Sequence, residues 1–119
     1  MAVYVANLNI NKGADFNVTY TIEDPSTNSP LSLVGYAASA QLRKTYSSTG
    51  VTTFTTSVSD AANGKITIAL SDAQTSLLKD GRHVYDVVIT SPANYQTRVV
   101  EGTAIVRPGV TRWQIILYG

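Results

Sequence analysis

Period-two alternation of apolar and polar residues dominates the chain. In Phe16-Asn17-Val18-Thr19-Tyr20-Thr21-Ile22 every second residue is large and apolar. A pleated strand sends that set to one face and the polar set to the other. Lys65-Ile66-Thr67-Ile68-Ala69-Leu70 repeats the pattern. Ala38, Ala40 and Leu42 alternate with Ser39, Gln41 and Arg43, and Tyr85, Val87 and Ile89 alternate with Asp86, Val88 and Thr90. Residues 96–107 are β-rich through Val99, Val100, Ile105 and Val106. Residues 1–10 also read as a strand, and the Thr-rich run 51–58 suits a strand with one solvated face.

Turn residues punctuate these runs: Asn11-Lys12-Gly13, residues 24–30 with Pro25 and Pro30, residues 47–50, Asn63-Gly64, Asp80-Gly81, Ser91-Pro92-Ala93-Asn94 and Pro108-Gly109. Gly and Asn supply positive φ, and Pro cannot continue a ladder. Close-spaced strands with polar turns predict an antiparallel sandwich or barrel. Asn63-Gly64 is the sharpest hairpin signal and joins residues 51–59 to 65–70. One segment reads as helical, about two turns long at roughly 3.6 residues each. Ser71 is its N-cap, Asp72 lies in its first turn, Leu77 and Leu78 share one side, and Asp80-Gly81 ends it. Such a helix would plug one end of the sandwich.

Composition narrows the function classes. At 119 residues the chain is one domain with a feasible core. A 44% hydrophobic content with net charge +1 argues against disorder. No apolar run reaches the roughly 18–20 residues of a membrane span, and no secretory signal is expected at the start. The absence of cysteine excludes disulfides, thiolate metal sites and thiol catalysis. Nine basic against eight acidic residues leave no nucleic-acid footprint.

Candidate chemistry is sparse. His83 is the single histidine, and Asp86 lies three positions on, which in a strand is the opposite face; a triad is not expected. One histidine without cysteine does not make a zinc site. Glu23-Asp24 and Asp72 with Asp80 would chelate calcium only if their loops converged, and no calcium-loop motif is present. No Gly-rich nucleotide loop occurs. No pair of carboxylates is marked for glycoside hydrolysis. Arg43, Lys44, Arg98, Arg107 and Arg112 read as solvated strand positions, some sharing a sheet face. Tyr46, Tyr95 and Trp113 suit either a sugar-stacking platform or core-edge and interface roles. No cofactor is expected.

The end of the sequence is unusual. Val110-Thr111-Arg112-Trp113-Gln114-Ile115-Ile116-Leu117-Tyr118-Gly119 is strongly apolar, whereas chain ends are usually polar and frayed. The chain therefore divides into a sandwich over residues 1–109 and an apolar strand or arm over 110–119. The arm is either a last strand of its own core or an addition to a neighbour's sheet or groove.

The ordered set of motifs resembles small virion proteins of tailed bacteriophages, including the N-terminal domain of upper baseplate proteins. The residues that carry it are Lys12-Gly13-Ala14-Asp15-Phe16, Leu33-Val34-Gly35-Tyr36, Ala40-Gln41-Leu42-Arg43-Lys44, Asn63-Gly64-Lys65-Ile66-Thr67-Ile68, Leu78-Lys79-Asp80-Gly81, Tyr85-Asp86-Val87-Val88-Ile89, Glu101-Gly102-Thr103-Ala104-Ile105-Val106 and Pro108-Gly109-Val110-Thr111. Their order and spacing match over roughly residues 9–111. The resemblance implies an all-β, immunoglobulin-like antiparallel β-sandwich with one short helix that builds a particle and catalyses nothing. Asp86 is then expected to meet a cross-strand Arg such as Arg98. Upper baseplate proteins carry this module ahead of longer regions, which here are replaced by the apolar end. An adaptor, joining or capsid-decorating role in the tail, baseplate or neck follows more readily than receptor binding. The expected partners are other virion proteins in a symmetric multi-copy assembly, with no nucleic acid and no membrane. The expected location is the virion, assembled in the bacterial cytoplasm. Trp113, Ile115, Ile116, Leu117 and Tyr118 are the candidate docking residues. The alternative is a carbohydrate-binding or host-adhesion module.

Overall fold

The computed structural model of the chain describes residues 4–24, 27 and 29–108. Its elements are β1 (Tyr4–Val5), β2 (Leu8–Asn11), β3 (Phe16–Thr21), β4 (Glu23–Asp24), β5 (Ser29–Pro30), β6 (Ala37–Arg43), β7 (Thr52–Thr53), β8 (Thr55–Asp60), β9 (Lys65–Leu70), α1 (Asp72–Ser76), β10 (Gly81–Thr90) and β11 (Gln96–Arg107). The larger sheet has the order β1-β11-β10-β6-β7, with β2 also on β11. The smaller has the order β3-β9-β8, and β4 with β5 forms a separate hairpin. One apolar core joins the sheets, built from Leu42, Val87, Ile89, Val100 and Val106 on the large one and Ile66, Ile68 and Leu70 on the small one. The alternation read from the sequence puts these side chains inside. β9 and β10 show it as a regular in–out burial pattern, and β11 shows it at its two ends. The expected β-sandwich with one short helix is the fold.

Several expectations need correction. Residues 1–10 do not form one strand: β1 and β2 are separated at Ala6-Asn7, and both run parallel to β11, so the sandwich is not wholly antiparallel. The break has a cause. The Ala6 carbonyl turns inward to accept a hydrogen bond from the Tyr85 hydroxyl at 2.6 Å. Asn7 Oδ1 takes over the backbone N–H of Thr103 at 3.2 Å. The turned carbonyl occupies the space of a side chain at Gly102, where a Cβ would lie 2.0 Å from the Ala6 oxygen.

Residues 51–59 are likewise two strands. β7 pairs with β6 in the large sheet and β8 with β9 in the small one. The chain changes sheets at Phe54, whose N–H donates to Ala40 O at 3.0 Å. Its ring packs against Phe16 of the small sheet at 6.3 Å and edge-on to Tyr85 of the large sheet at 6.2 Å. A buried aromatic spanning both layers fixes the crossover.

The helix is shorter than expected. Ser71 caps it as predicted, in a reciprocal box with Gln74. It ends at Leu77, which is 86% exposed while Leu78 is buried, so the two leucines do not share a side. Gly81, with φ of +105°, opens β10 and does not close the helix. Helix α1 is held against the Asn11-to-Asp15 turn. Buried Thr75 accepts from Gly13 N–H at 3.1 Å and donates to Ala14 O at 2.9 Å, and Asp15 Oδ1 accepts from Asp72 N–H at 2.7 Å.

The Asn63-Gly64 hairpin does join β8 to β9, through a 3-10 turn over Ala61–Asn63. Only Gly64 of that pair takes positive φ, +68°. A Cβ there would meet the carbonyl oxygens of Ile22 and Leu31 at 2.6 Å each, so the site is closed to side chains by packing and by conformation.

Candidate functional site

The outward face of the large sheet carries a linked set of charged side chains. Its geometry depends on an irregularity in β11. Val100 pairs with Val87 and Arg98 with Val88, so Val99 is an extra residue with no partner, a β-bulge. Both Val99 and Val100 are buried. In a regular strand Arg98 and Glu101, three apart, would face opposite ways. The bulge reverses the phase and brings both to the outer face beside Asp86. Arg98 Nη1 lies 3.3 Å from Glu101 Oε1, and its Nε lies 3.4 Å from Asp86 Oδ2. The cross-strand contact expected between Arg98 and Asp86 is therefore present. Glu101 was not singled out in the sequence; the adjacent valines were the available signal. Asp86 and Glu101 sit directly opposite each other in register, and the guanidinium between them offsets two like charges.

These three residues line an open groove of about 440 Å³ with Gln41, Arg43, Tyr46 and Val84. Arg43 is held in place by donating to Ser48 O at 2.6 Å and to Gln41 Oε1 at 3.2 Å. Tyr46 stands at the groove with 82% of its surface exposed. Tyr95 is also exposed, but not here. It lies beyond Thr90, which pairs with Ala37 at the start of β6, whereas Tyr46 follows Arg43 at the other end. Six strand steps of roughly 3.3 Å separate those ends, so the two rings do not form one platform. Trp113 lies outside the described residues, as do Arg112, Ile115, Ile116, Leu117 and Tyr118.

The remaining candidates are structural. His83 is buried on the inner face of β10, with Nε2 2.8 Å from the Lys79 carbonyl oxygen; Asp86 is on the other face. Asp72 and Asp80 are drawn to different partners, Asp72 N–H to Asp15 and the Asp80 carboxylate to Lys12 Nζ at 3.2 Å. Among the described residues no three acidic or histidine side chains gather as metal ligands. No helix there is long and apolar enough to cross a membrane.

One part-buried polar chain crosses the sandwich. The Tyr85 hydroxyl donates to Ala6 O, which leaves its oxygen to accept from the Tyr20 hydroxyl at 2.7 Å. Burial lifts both phenols above their ordinary range. For Tyr85 desolvation leads, followed by the hydrogen bond and charge of Tyr20; for Tyr20 desolvation outweighs the opposing effect of the bond to Tyr85. Two protonated hydroxyls thus tie the small sheet, the large sheet and the β1–β2 break together. This is a clamp, not a reactive centre.

Comparison with known proteins agrees with this architecture. The N-terminal domain of phage TP901-1 ORF48 has a similar structure, with a TM-score of 0.53 at 14% identity over 89% of this chain and 98% of that one. At that identity the likeness concerns the fold. The Listeria monocytogenes internalin-like protein lmo2027 matches with a TM-score of 0.44 at 14% identity, over 90% of this chain and 28% of its own. No curated protein sequence matches. The motif resemblance to a phage N-terminal domain is met by the first of these folds. The profile of a sequence family covers residues 3–107, nearly the whole described chain, and on that match the chain belongs to the family described as "LtfC-like, beta-sandwich domain".

Proposed function

We propose that this protein is a non-enzymatic structural subunit of a tailed-phage virion, which docks a rigid sandwich onto other virion proteins in a symmetric assembly. The observation that carries the reading is the end-to-end overlap with a phage domain, 98% of which this chain spans. The ordered motifs from residue 9 to 111 support the same origin, and the side-chain chemistry is consistent with it. The histidine is spent on a carbonyl, and the outer-face carboxylates are spent on an arginine. Trp113, Ile115, Ile116, Leu117 and Tyr118 supply the apolar anchors of the docking segment. Tail, baseplate, neck or capsid decoration are the positions such a subunit takes, after assembly in the host cytoplasm.

Mass spectrometry of particles purified from cells that carry the gene tests this. The protein is expected in multiple copies per mature particle, and its absence from mature particles overturns the reading. A second reading, a glycan-binding or host-adhesion module, has one observation in its favour: the exposed Tyr46 ring beside the polar groove of Gln41, Arg43, Asp86 and Glu101. Glycan-array binding that disappears in Tyr46→Ala would select it.

A further inference from the structure

The small sheet has a conspicuous vacancy. β3 pairs with β9 on one side, and among the described residues no strand pairs with the other. That edge is six residues long, regular, and free of charge, proline and bulge, the devices that normally protect an exposed edge. The opposite edge, β8, has an irregular register and ends in Asp60. The inner face of β3 is also incompletely covered. Phe16, Val18 and Tyr20 point to the core but are only half-buried, whereas their partners Leu70, Ile68 and Ile66 on β9 are fully buried. An unpaired backbone edge beside a partly exposed apolar row leaves room for one more strand.

The sequence beyond the described residues offers one with the required period on one face. From 110 to 118 the odd positions Trp113, Ile115 and Leu117 are apolar, while the even positions pass from polar Arg112 and Gln114 to Ile116 and Tyr118. Three apolar residues at period two match three partly exposed ones. We infer that residues 110–118 of a second copy of this chain add to the free edge of β3, antiparallel, with Leu117, Ile115 and Trp113 opposite Phe16, Val18 and Tyr20. The inference rests on the proposed docking role of this segment. It names the edge, the register and the partner.

Chain geometry favours a second copy. The end of β11 is tied to the turn that leads into β3, through Lys12 N–H donating to Arg107 O at 2.9 Å. A segment continuing from there within its own copy starts beside the first residue of β3 and has to run parallel to it. It must also cross the roughly 10 Å between the sheets first. A neighbouring copy meets neither restriction and forms the more stable antiparallel ladder. Main-chain hydrogen bonds supply affinity and the alternate apolar side chains supply register.

The chain has no cysteine, which makes cross-linking clean. Asn17 is exposed, its side chain has no hydrogen bond among the described residues, and the proposed register sets it opposite Ile116. The full-length single variants Asn17→Cys and Ile116→Cys are mixed and oxidised. The expected product is the mixed disulfide, in excess over either homodimer, with the out-of-register pair Asn17→Cys and Gln114→Cys cross-linking poorly. A random distribution of the three dimers, or no cross-link, overturns the inference. So does an internal disulfide in monomers of the double variant Asn17→Cys/Ile116→Cys, because the strand is then filled from its own copy. If the mixed disulfide forms and the protein is absent from particles, strand exchange stands and the virion reading fails.

Discussion

Along β11 the large sheet is closed by the chain's own β1 and β2, whereas among the described residues the small sheet stops at β3 with that edge unpaired. The alternation of β3 is unbroken and that of β11 is interrupted at Val99-Val100, yet neither pattern says which edge is paired. What differs is the cost of closure. Sealing β11 needs a glycine at 102, a carbonyl at Ala6 turned inward, an amide side chain at Asn7 and the linked phenols of buried Tyr85 and half-buried Tyr20. β3 needs nothing special, and its apolar row is left half-uncovered. A closed edge is thus marked by local irregularities that fit only one partner. An open edge is marked by regularity, which any strand of suitable period fits.

The largest effect that breaks this comparison is expected at Gly102. An added methyl meets the backbone of Ala6, not a flexible side chain end, so Gly102→Ala must push β1 and β2 off β11. A loss of about 3 kcal/mol is expected, the upper range for overpacking. Urea titration of the variant beside Gly50→Ala checks it. A Cβ at Gly50 meets nothing within 4 Å, and a change there within about 0.5 kcal/mol is expected. Equal stability of the two variants would show that the N-terminal seal contributes little.

Tyr85→Phe comes next. It keeps the ring against Phe54 but orphans the Ala6 carbonyl and removes the acceptor of Tyr20. An unsatisfied buried group costs about 1–3 kcal/mol. The same residue gives a pH signature. Its folded pKa is raised above the ordinary 10.0, so the unfolded chain releases this proton first as pH rises. The contribution is fully present below pH 10.0 and declines above it, because the unfolded state then binds fewer protons than the folded one. Wild-type melting temperature is expected to fall with pH above that point, and less steeply in Tyr85→Phe. Parallel slopes would refute the clamp.

These two predictions also mark what was legible in advance. β9 and β11 match the expected boundaries residue for residue: period two runs uninterrupted through β9, and Val99, Val100, Ile105 and Val106 mark β11 although a bulge breaks its period. The Arg98–Asp86 contact was legible because cross-strand neighbours on an outer face follow from the same period. The change of sheet at Phe54 was not. Thr52, Phe54, Thr56 and Val58 keep one phase through the crossover, so nothing local reports that the hydrogen-bonding partner changes from β6 to β9. The break at Ala6 was hidden for a similar reason: its cause is Tyr85, 79 positions away. Glu101 escaped notice because period two assigns it the face opposite Arg98, and only the buried pair Val99-Val100 corrects the phase.

Arg98 itself is expected to give the smallest effect and to separate the inner seal from the outer face. It lies on the sealed strand, but its ion pairs are solvent-exposed on both sides, with side-chain exposures of 56% for Arg98, 40% for Asp86 and 39% for Glu101. Exposed pairs of this kind contribute about 0–1 kcal/mol and are screened by salt. Arg98→Met keeps the aliphatic stem and removes the charge, leaving two carboxylates directly opposed in register. A loss of about 0.5 kcal/mol is expected at low ionic strength, shrinking as salt screens the repulsion between Asp86 and Glu101. Urea titrations at low and high salt measure both. A loss as large as that of Gly102→Ala, unaffected by salt, would mean that the edge is held from its outer face, and the division between an inner geometric seal and an outer charged surface would fail.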